Sequence, residues 1–303
     1  MSNLVSIGVP VYNRPLEMKR ALDSILNQSY TNIEIIISND NSPNPAIDKI
    51  IREYVELDNR IKYFKQDSSL RTVENYLFVL KKGSGKYFMW LADDDWLDIN
   101  FVENCYNFLE NNNDYSICVG KCNYQDNGTI IHTNSSKSYT SENKWARSIG
   151  YYYDVSLNGY MYGLIRKSFL DQIEFENEIA FDWEIVGSLF YQGKIMVLHS
   201  TSHYITKGGV SNQISSLTSQ FKKNNIISRN YIGLATSLNC SLYIFKSKVY
   251  KSNILAKIGL FVSVFISSYI NTIGWDLLFL KRKVVKLLKI SKNGVIFNVD
   301  KKD

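Results

Sequence analysis

The first 120 residues alternate between short apolar runs and segments in which apolar residues recur every three to four positions. The runs predict buried strands, and the spaced pattern predicts amphipathic helices. Strands are expected at 4–11, 33–38, 61–64 and 86–92, with helices at 16–28, 47–57, 73–82 and 100–110. Strands that alternate with helices predict parallel βαβ units, and therefore an α/β fold with helices on both faces of the sheet.

The pattern is less regular over residues 115–205. Strands are predicted near 115–121, 128–133, 160–166 and 195–205, and a helix at 182–192. Mixed strands that follow a parallel half predict a mixed, mainly parallel sheet.

The C-terminal part has a third pattern. Residues 258–280 carry a single charge, Asp276, and small or polar residues recur there at every fourth position, namely at Gly259, Ser263, Ser267 and Asn271. The basic segment KRKVVKLLK follows at 281–289. An amphipathic helix is predicted, which docks on a membrane surface, packs as a helical hairpin or spans the bilayer. The presence of Asp276 and Asn271 inside the stretch, together with the polar stripe, favours surface docking.

The net charge of +6 hides a division along the chain. Residues 220–303 hold 15 Lys and Arg against three acidic residues, whereas residues 1–219 hold 20 against 26. A basic tail on an acidic body predicts an anionic partner surface, either phospholipid or nucleic acid. No nucleic-acid-binding module is recognised, so a membrane is favoured. The four cysteines form neither a disulfide nor a zinc pattern, and no signal peptide is recognised, so a cytoplasmic protein is expected.

Three loops should meet beyond the carboxyl ends of the parallel strands, where α/β sheets bind ligands. They are Pro10–Pro15, Asn39–Pro43 and Asp93–Asp95. Adjacent carboxylates repel one another, and Mg²⁺ or Mn²⁺ bridging to phosphates would offset that repulsion. The alternative is an Asp-rich turn that caps the next helix. Neither a GxxxxGK[ST] nor a GxGxxG loop is present, so a bound nucleotide would need a metal for its phosphates.

Four segments, in this order, resemble family 2 glycosyltransferases with the GT-A fold: VSIGVPVYNRP with IEIIISNDNS, then ENYLFVLKKGSGKYFMWLADDDWL, then FDWE at 181–184, then HYITKGGVSNQ at 203–213. The resemblance covers about residues 3–213. It implies inverting transfer of a sugar from a nucleotide diphosphate, UDP being favoured, to a hydroxyl of a glycan or lipid-linked acceptor in bacterial surface polysaccharide synthesis. The alternatives are a non-catalytic, membrane-associated nucleotide-sugar-binding protein and a sugar nucleotidyltransferase.

The resemblance also implies roles for individual residues. The donor nucleotide would be bound by Pro10, Tyr12, Asn13, Asp40, Arg71, Asn75, Asp93 and Asp94. Among these, Asp40 would accept a hydrogen bond from the base, and Asp94 would contact the ribose. Arg71 would reach the base or the phosphates, or instead pair with Glu74 on its own helix.

Metal binding is assigned to Asp93 and Asp95, with Asp95 favoured and with Mn²⁺ or Mg²⁺ as the ion. Asp182 would be the catalytic base, and Trp183 would lie on the acceptor side. His203 is interpreted as a structural residue or a phosphate contact.

The expected organisation is a catalytic domain at 1–215, with a nucleotide-binding half at 1–115 and an acceptor half at 116–215. A basic, amphipathic helical tail at 216–303 would attach the protein to the inner face of the cytoplasmic membrane.

Overall fold

The computed structural model describes residues 2–126, 129–134, 137–155, 158–206, 221 and 226–291, without the side chains of 134, 226, 278–279 and 282–291. Its strands are β1 Val5–Val11, β2 Ile33–Asn39, β3 Ile61–Lys65, β4 Tyr87–Trp90, β5 Trp96–Leu97, β6 Tyr115–Asp126, β7 Thr129–Asn134, β8 Leu164–Arg166 and β9 Lys194–Thr206. Its helices are α1 Pro15–Leu26, α2 Pro45–Leu57, α3 Thr72–Lys82, α4 Phe101–Asn111, α5 Lys144–Asp154, α6 Lys167–Leu170, α7 Phe181–Gln192, α8 Ile226–Asn230, α9 Ile232–Lys246 and α10 Ile254–Ser291.

All these strands belong to one sheet with the order β3-β2-β1-β4-β8-β6-β9-β5, and β7 pairs with β6. The first four strands are parallel, β8 is antiparallel to both β4 and β6, and β9 runs parallel to β6. The sheet is therefore mixed and mainly parallel, which confirms the predicted fold class. The sequence pattern did not predict α5 or the short strand β5.

The order of the strands fixes where a ligand can bind. From β1 the chain adds β2 and β3 on one side and then returns to add β4 on the other side of β1. The order in which strands are added to the sheet therefore reverses between β1 and β4, although the two strands are parallel. Loops diverge at such a point and leave a crevice beyond the carboxyl ends of the strands. The loop after β1 and the Asp93–Asp95 loop after β4 both lie at this crevice.

Tight packing holds the two central strands under the crevice. Every residue of β1 and β2 is buried. A Cβ atom on Gly8 of β1 would lie 2.7 Å from side-chain atoms of both Phe88 and Val79. Only glycine fits between β4 and α3 at this position without displacing them.

The C-terminal helices share the core of the sheet domain. Cys240 and Tyr243 of α9 and Leu260 and Val264 of α10 belong to the same buried cluster as the strands. Much of the predicted tail is thus packed on the sheet and its helices. Residues 207–220, 222–225 and 292–303, which include most of the predicted 203–213 loop, lie outside the described residues.

Asp276 is the residue that joins the last two long helices. It is 4% exposed, and its two carboxylate oxygens accept hydrogen bonds from the backbone N–H groups of Gly233 and Leu234, each at 2.9 Å. These N–H groups lie in the first turn of α9, where a carboxylate is stabilised by the helix dipole. The only charge in 258–280 therefore faces the protein and not the solvent.

Candidate functional site

The carboxylate triplet connects the loop after β4 to the loop after β1. Asp93 Oδ2 accepts a hydrogen bond from the Tyr12 backbone N–H at 2.8 Å, and its Oδ1 lies 3.3 Å from Arg14 Nη1. The same guanidinium nitrogen pairs with Asp94. Asp93, Asp94 and Asp95 are only 6%, 6% and 2% exposed. The triplet is therefore a buried part of the crevice rather than a solvated helix cap.

Burial shifts the titration of two of these carboxyls. It raises the pKa of Asp93 to about 7, although the Tyr12 N–H and Arg14 favour the charged form. Burial, with the neighbouring charge of Asp95, raises the pKa of Asp94 to about 6. A bound cation would favour the ionised form of both groups, because it supplies the positive charge that their surroundings lack.

Asp95 points to the opposite side of the triplet, toward β9. Its Oδ1 accepts a hydrogen bond from the Thr206 backbone N–H at 3.0 Å, and its Oδ2 lies 3.1 Å from His203 Nε2. His203 is fully buried, and neither of its ring nitrogens has hydrogen-bond geometry to a described residue. The buried ring nitrogens thus leave room for a further polar partner, such as water or an ion.

The pair of Asp95 and His203 fits a divalent cation. Adjacent ligands of an octahedral ion at 2.0–2.1 Å are about 3 Å apart, as these two atoms are. Among the described residues no group of three or more His, Cys, Asp and Glu side chains is arranged to hold a metal ion. Such an ion would take its remaining ligands from water and from phosphate oxygens, as Mg²⁺ commonly does.

Arg20 supports the triplet from the side of β5. Its guanidinium donates hydrogen bonds to the backbone oxygen of Asp94 and to Thr206 Oγ1, both at 3.1 Å. The guanidinium carbon lies 3.5 Å from the ring centroid of Trp96, which stacks on Tyr204 with centroids 5.3 Å apart. Arg20 could not be identified from the sequence, because nothing in its position on α1 indicates these contacts.

Asp40, at the end of β2, organises the loop that precedes α3. Its Oδ2 accepts hydrogen bonds from Ser69 Oγ at 2.8 Å and from the Arg71 backbone N–H at 3.1 Å, and its Oδ1 accepts one from the Leu70 N–H. Arg71 has a φ of 69°, a strained value for a residue with a side chain. Asp40 therefore fixes the backbone conformation at Arg71.

The remaining predicted nucleotide-binding residues lie around the same crevice. Asn75 is 3% exposed; its Nδ2 donates to the Ser38 backbone oxygen at 3.3 Å, and its Oδ1 has no hydrogen-bond partner among the described residues. Tyr12 is 53% exposed, and Asn13 has a φ of 62°. Pro10 lies within β1, in register with Ser38. The structure thus gathers these positions at the carboxyl ends of β1 and β2.

Asp182 lies in the first turn of α7, two residues after Ala180, which has the left-handed φ of 75°. The carboxylate is half-buried, and its Oδ2 accepts a hydrogen bond from Asn158 Nδ2 at 2.9 Å. Asn158 in turn accepts one from Tyr151 Oη at 3.0 Å. Burial raises the pKa of Asp182, with the Asn158 hydrogen bond opposing. A raised pKa makes a carboxylate a better proton acceptor.

A row of aromatic side chains runs from Phe181, the residue before Asp182, to His203. The ring of Phe181 lies 6.2 Å from Tyr76, and the hydroxyls of Tyr76 and Tyr162 are 3.4 Å apart. The ring of Tyr162 is 5.2 Å from His203. These contacts connect the start of α7 with the Asp95–His203 pair.

Trp183 does not fit the predicted acceptor-side position. It is 7% exposed, and its ring packs against Trp275 of α10 at 6.2 Å and against Tyr151 at 6.5 Å. Stacking of a sugar needs an accessible ring face, which this packing removes. Glu184, two residues after Asp182, is 1% exposed and so lies in the core.

The chain is similar in sequence to known glycosyltransferases. The sequence profile of glycosyl transferase family 2 matches residues 6–172. Glycosyltransferase GlyA of Streptococcus pneumoniae is 38% identical over 103 residues, which cover 34% of this chain and 14% of that protein. Putative glycosyltransferase EpsH of Bacillus subtilis is 30% identical over 141 residues, 46% of this chain and 40% of that protein. The chain thus spans less than half of the length of these two relatives.

A longer match is found in Campylobacter jejuni. Its GalNAc(5)-diNAcBac-PP-undecaprenol beta-1,3-glucosyltransferase is 25% identical over 248 residues, 82% of this chain and 78% of that protein. Among solved structures, residues 1–349 of S. aureus TarS superpose with a TM-score of 0.63 at 15% identity, over 89% of this chain and 72% of that chain. The same TarS fragment has been solved in complex with UDP-GlcNAc.

Proposed function

Because this chain belongs to glycosyl transferase family 2, we propose that it transfers a sugar from a nucleotide diphosphate to an acceptor hydroxyl, with inversion at the anomeric carbon. UDP-sugars are the favoured donors, which is supported by the fold shared with a protein solved with UDP-GlcNAc. A glycan or lipid-linked acceptor is supported by the name of the Campylobacter jejuni relative, and bacterial surface polysaccharide synthesis is the proposed process.

The observation that carries the proposal is the crevice between β1 and β4. Tyr12 and Arg14 from one loop meet Asp93 and Asp94 from the other, and Asp95 meets His203 on the far side. We assign the base pocket to the surroundings of Asp40, whose bonds hold the loop at Arg71. The nucleotide would lie along the carboxyl ends of β2, β1 and β4, with its diphosphate at the triplet.

Asp95 and His203 would hold Mn²⁺ or Mg²⁺. The ion would stabilise the negative charge that builds on the departing diphosphate. Asp93 contributes in another way, because its oxygens already bind the Tyr12 N–H and approach Arg14. It fixes the loop that covers the nucleotide, and Asp94 is placed by the same guanidinium.

Asp182 would act as the general base. Inversion requires attack on the anomeric carbon from the face opposite the diphosphate, and the attacking hydroxyl must lose its proton as the new bond forms. Asn158 fixes one of its oxygens and is itself held by Tyr151 Oη. These hydrogen bonds hold the carboxylate in one orientation.

The outer face of α10 would rest on the anionic inner leaflet of the cytoplasmic membrane. By length and composition Ile254–Leu277 could cross a membrane, and 22% of its most apolar window is buried inside the structure. Exposed apolar residues recur every three to four positions on one side of the helix, at Leu255, Ile258, Val262, Ile266, Ile270, Ile273 and Leu277. The opposite side is packed on the protein, which favours surface docking over spanning.

Thermal unfolding with nucleotides tests the donor site. In the presence of Mn²⁺ we expect UDP and UDP-sugars to raise the melting temperature more than their GDP, CDP or TDP counterparts, since a ligand of the native state stabilises it. Asp95→Asn should abolish the Mn²⁺-dependent part of the shift. Asp171→Asn is the control, because Asp171 is an exposed residue of a local ion pair with Lys167. The absence of a shift with every nucleotide would contradict the proposal.

Vesicle flotation tests the docking surface with the full-length chain. Val262→Asn, Ile266→Asn and Ile270→Asn combined should reduce binding to phosphatidylglycerol vesicles, while binding to phosphatidylcholine should be weak throughout. The matched control replaces Leu16, Leu57 and Ile99, which are 77%, 81% and 65% exposed on other elements, by Asn. Equal flotation of both triple variants would exclude this face as the docking surface.

A further inference from the structure

The loop that leads into Asp182 is held by α9. Asn239 Nδ2 donates a hydrogen bond to the Ile179 backbone oxygen at 3.1 Å, three residues before Asp182. Tyr243 Oη donates one to the Glu174 backbone oxygen at 2.6 Å. Ile232 and Ala235 of α9 share a buried cluster with Ile179. The path of this loop is therefore determined by a helix that lies beyond residue 226.

The last helix, α10, reaches the residue that follows Asp182. The rings of Trp275 and Trp183 lie edge to face with centroids 6.2 Å apart. A second connection between α10 and Trp183 runs through α5. Asn271 Nδ2 donates to the Tyr152 backbone oxygen at 3.4 Å, and Tyr152 Oη donates to the Trp183 backbone oxygen at 3.3 Å. Contacts from two helices thus converge on the chain segment that carries the carboxylate.

The register of α10 against α9 is fixed beside this contact. Asp276, next to Trp275, binds the N–H groups of Gly233 and Leu234. Thr272 Oγ1 donates to the Gly233 backbone oxygen at 3.1 Å, and a Cβ atom on Gly233 would lie 2.5 Å from the backbone oxygen of Thr272. This close, hydrogen-bonded crossing prevents Trp275 from sliding along α9.

We propose that Trp275 and Asn239 are positioning residues for the carboxylate of Asp182, and that α9 and α10 are thereby part of the catalytic unit. This inference rests on the proposed role of Asp182 as the base. Proton transfer requires hydrogen-bond reach to the acceptor hydroxyl, and a displacement of about 1 Å costs as much as ~10²-fold in rate. Neither residue lies among those assigned to nucleotide or metal binding.

The first test separates turnover from donor binding. Trp275→Ala should lower kcat roughly tenfold, while the affinity for UDP with Mn²⁺ in calorimetry stays unchanged. Trp275→Phe should restore most of kcat, because it keeps an aromatic edge against Trp183. Leu277→Ala is the control: Leu277 is 58% exposed on the proposed membrane face. If Leu277→Ala lowered kcat as much as Trp275→Ala does, membrane contact would be the cause and the inference would be wrong.

A double-mutant cycle tests whether Trp275 acts through Asp182. In the Asp182→Asn background, Trp275→Ala should have no further effect on the residual rate, since the group that it positions is already lost. The same fractional loss in both backgrounds would overturn the inference. Full turnover of Asp182→Asn by itself would instead overturn the proposed base.

Asn239→Ala is a second variant, for use if Trp275→Ala does not fold. Loss of the Asn239 amide removes one hydrogen bond to the loop before α7. We therefore expect kcat to fall about threefold to tenfold with unchanged UDP affinity. Unchanged kcat in a folded Asn239→Ala protein would contradict the inference.

Discussion

The proposed donor side and the proposed acceptor side of the crevice are built in different ways. On the donor side, Asp93, Asp94 and Asp95 follow a central strand and are held by groups from neighbouring loops, namely the Tyr12 N–H, Arg14 and the Thr206 N–H. On the acceptor side, Asp182 lies at the start of a helix and is oriented by the side chain of Asn158. The surrounding support comes from α5, α9 and α10.

The difference indicates that the two sides are stabilised independently of each other. The donor side is part of the parallel sheet, whose buried strands fix the ends of their loops within a narrow range. The acceptor side depends on helix packing, including contacts from the last part of the described chain. A substitution on one side should therefore leave the function proposed for the other side intact, so nucleotide affinity and turnover can be measured separately.

The largest effect is expected for Asp182→Asn. The amide keeps the shape and the contact with Asn158, but it cannot accept the proton from the acceptor hydroxyl. Turnover should fall by ~10²–10⁴-fold, while the affinity for UDP with Mn²⁺ stays that of the parent protein. Steady-state nucleotide release and calorimetry measure the two quantities. Near-normal turnover would show that another group is the base.

Asp95→Ala should have the converse effect and remove the Mn²⁺ dependence of UDP binding. We expect affinity in Mn²⁺ to fall at least about tenfold, because the ion loses a direct oxygen ligand. Asp93→Ala should be milder, since Asp93 contacts the Tyr12 N–H and Arg14. Calorimetry with and without Mn²⁺ decides. If Asp93→Ala were the more damaging change, the metal ligand would have been assigned to the wrong carboxylate.

Asp276→Asn should weaken the helix pair on the acceptor side. One of the two N–H groups at the start of α9 would face an amide NH₂ instead of an oxygen. The free energy of unfolding should fall by about 1–3 kcal/mol, as measured by urea denaturation. Asp171→Asn, an exposed control, should change it little. An equal effect of the two substitutions would contradict the buried cap.

Glu34, near the amino end of β2 and away from the crevice, contributes to the free energy of unfolding in a way that depends on pH. It is 4% exposed, and although burial opposes the charge, hydrogen bonds from Lys62, Ser6 and Ser84 lower its pKa to about 2. Because this folded-state pKa lies below that of the unfolded chain, the stabilisation is present above about pH 4 and is lost as pH falls toward 2.

Glu34→Gln should therefore lower the free energy of unfolding by about 1.5–3 kcal/mol at pH 7, and the difference from the parent should shrink as the solution is acidified. Glu53→Gln on the exposed side of α2 is the control. A loss that stays constant from pH 7 to pH 3 would show that the contribution of Glu34 is not ionic.

Much of the fold could be predicted from periodicity, because the buried parallel strands are apolar runs and the helices between them are amphipathic. The triplet at Asp93–Asp95 was visible as a cluster after a strand. The partner of Asp95 was not visible, since His203 reaches it only through the pairing of β5 with β9 across about a hundred residues. Contacts of this kind depend on sheet topology, which spacing along the chain does not show.

In the C-terminal part, too, long-range contacts could not be predicted from the sequence. Asp276 in an apolar stretch favours a helix at the membrane surface when only the sequence is considered, but in the structure it is buried against α9. The exposed face of α10 is consequently more apolar than the sequence indicated. The burial of Trp183 could not be predicted either, because the residue that covers its ring, Trp275, lies 92 positions further along the chain.

The most direct test of the central claim is the anomeric configuration of the product. The full-length protein would be incubated with Mn²⁺, a panel of α-linked UDP-sugars and bacterial lipid extract as acceptor, with UDP release followed and the product examined by NMR. We expect release of UDP coupled to formation of a β-linked product, and loss of both in Asp182→Asn. Retention of the α configuration, or UDP release that persists unchanged in Asp182→Asn, would contradict it.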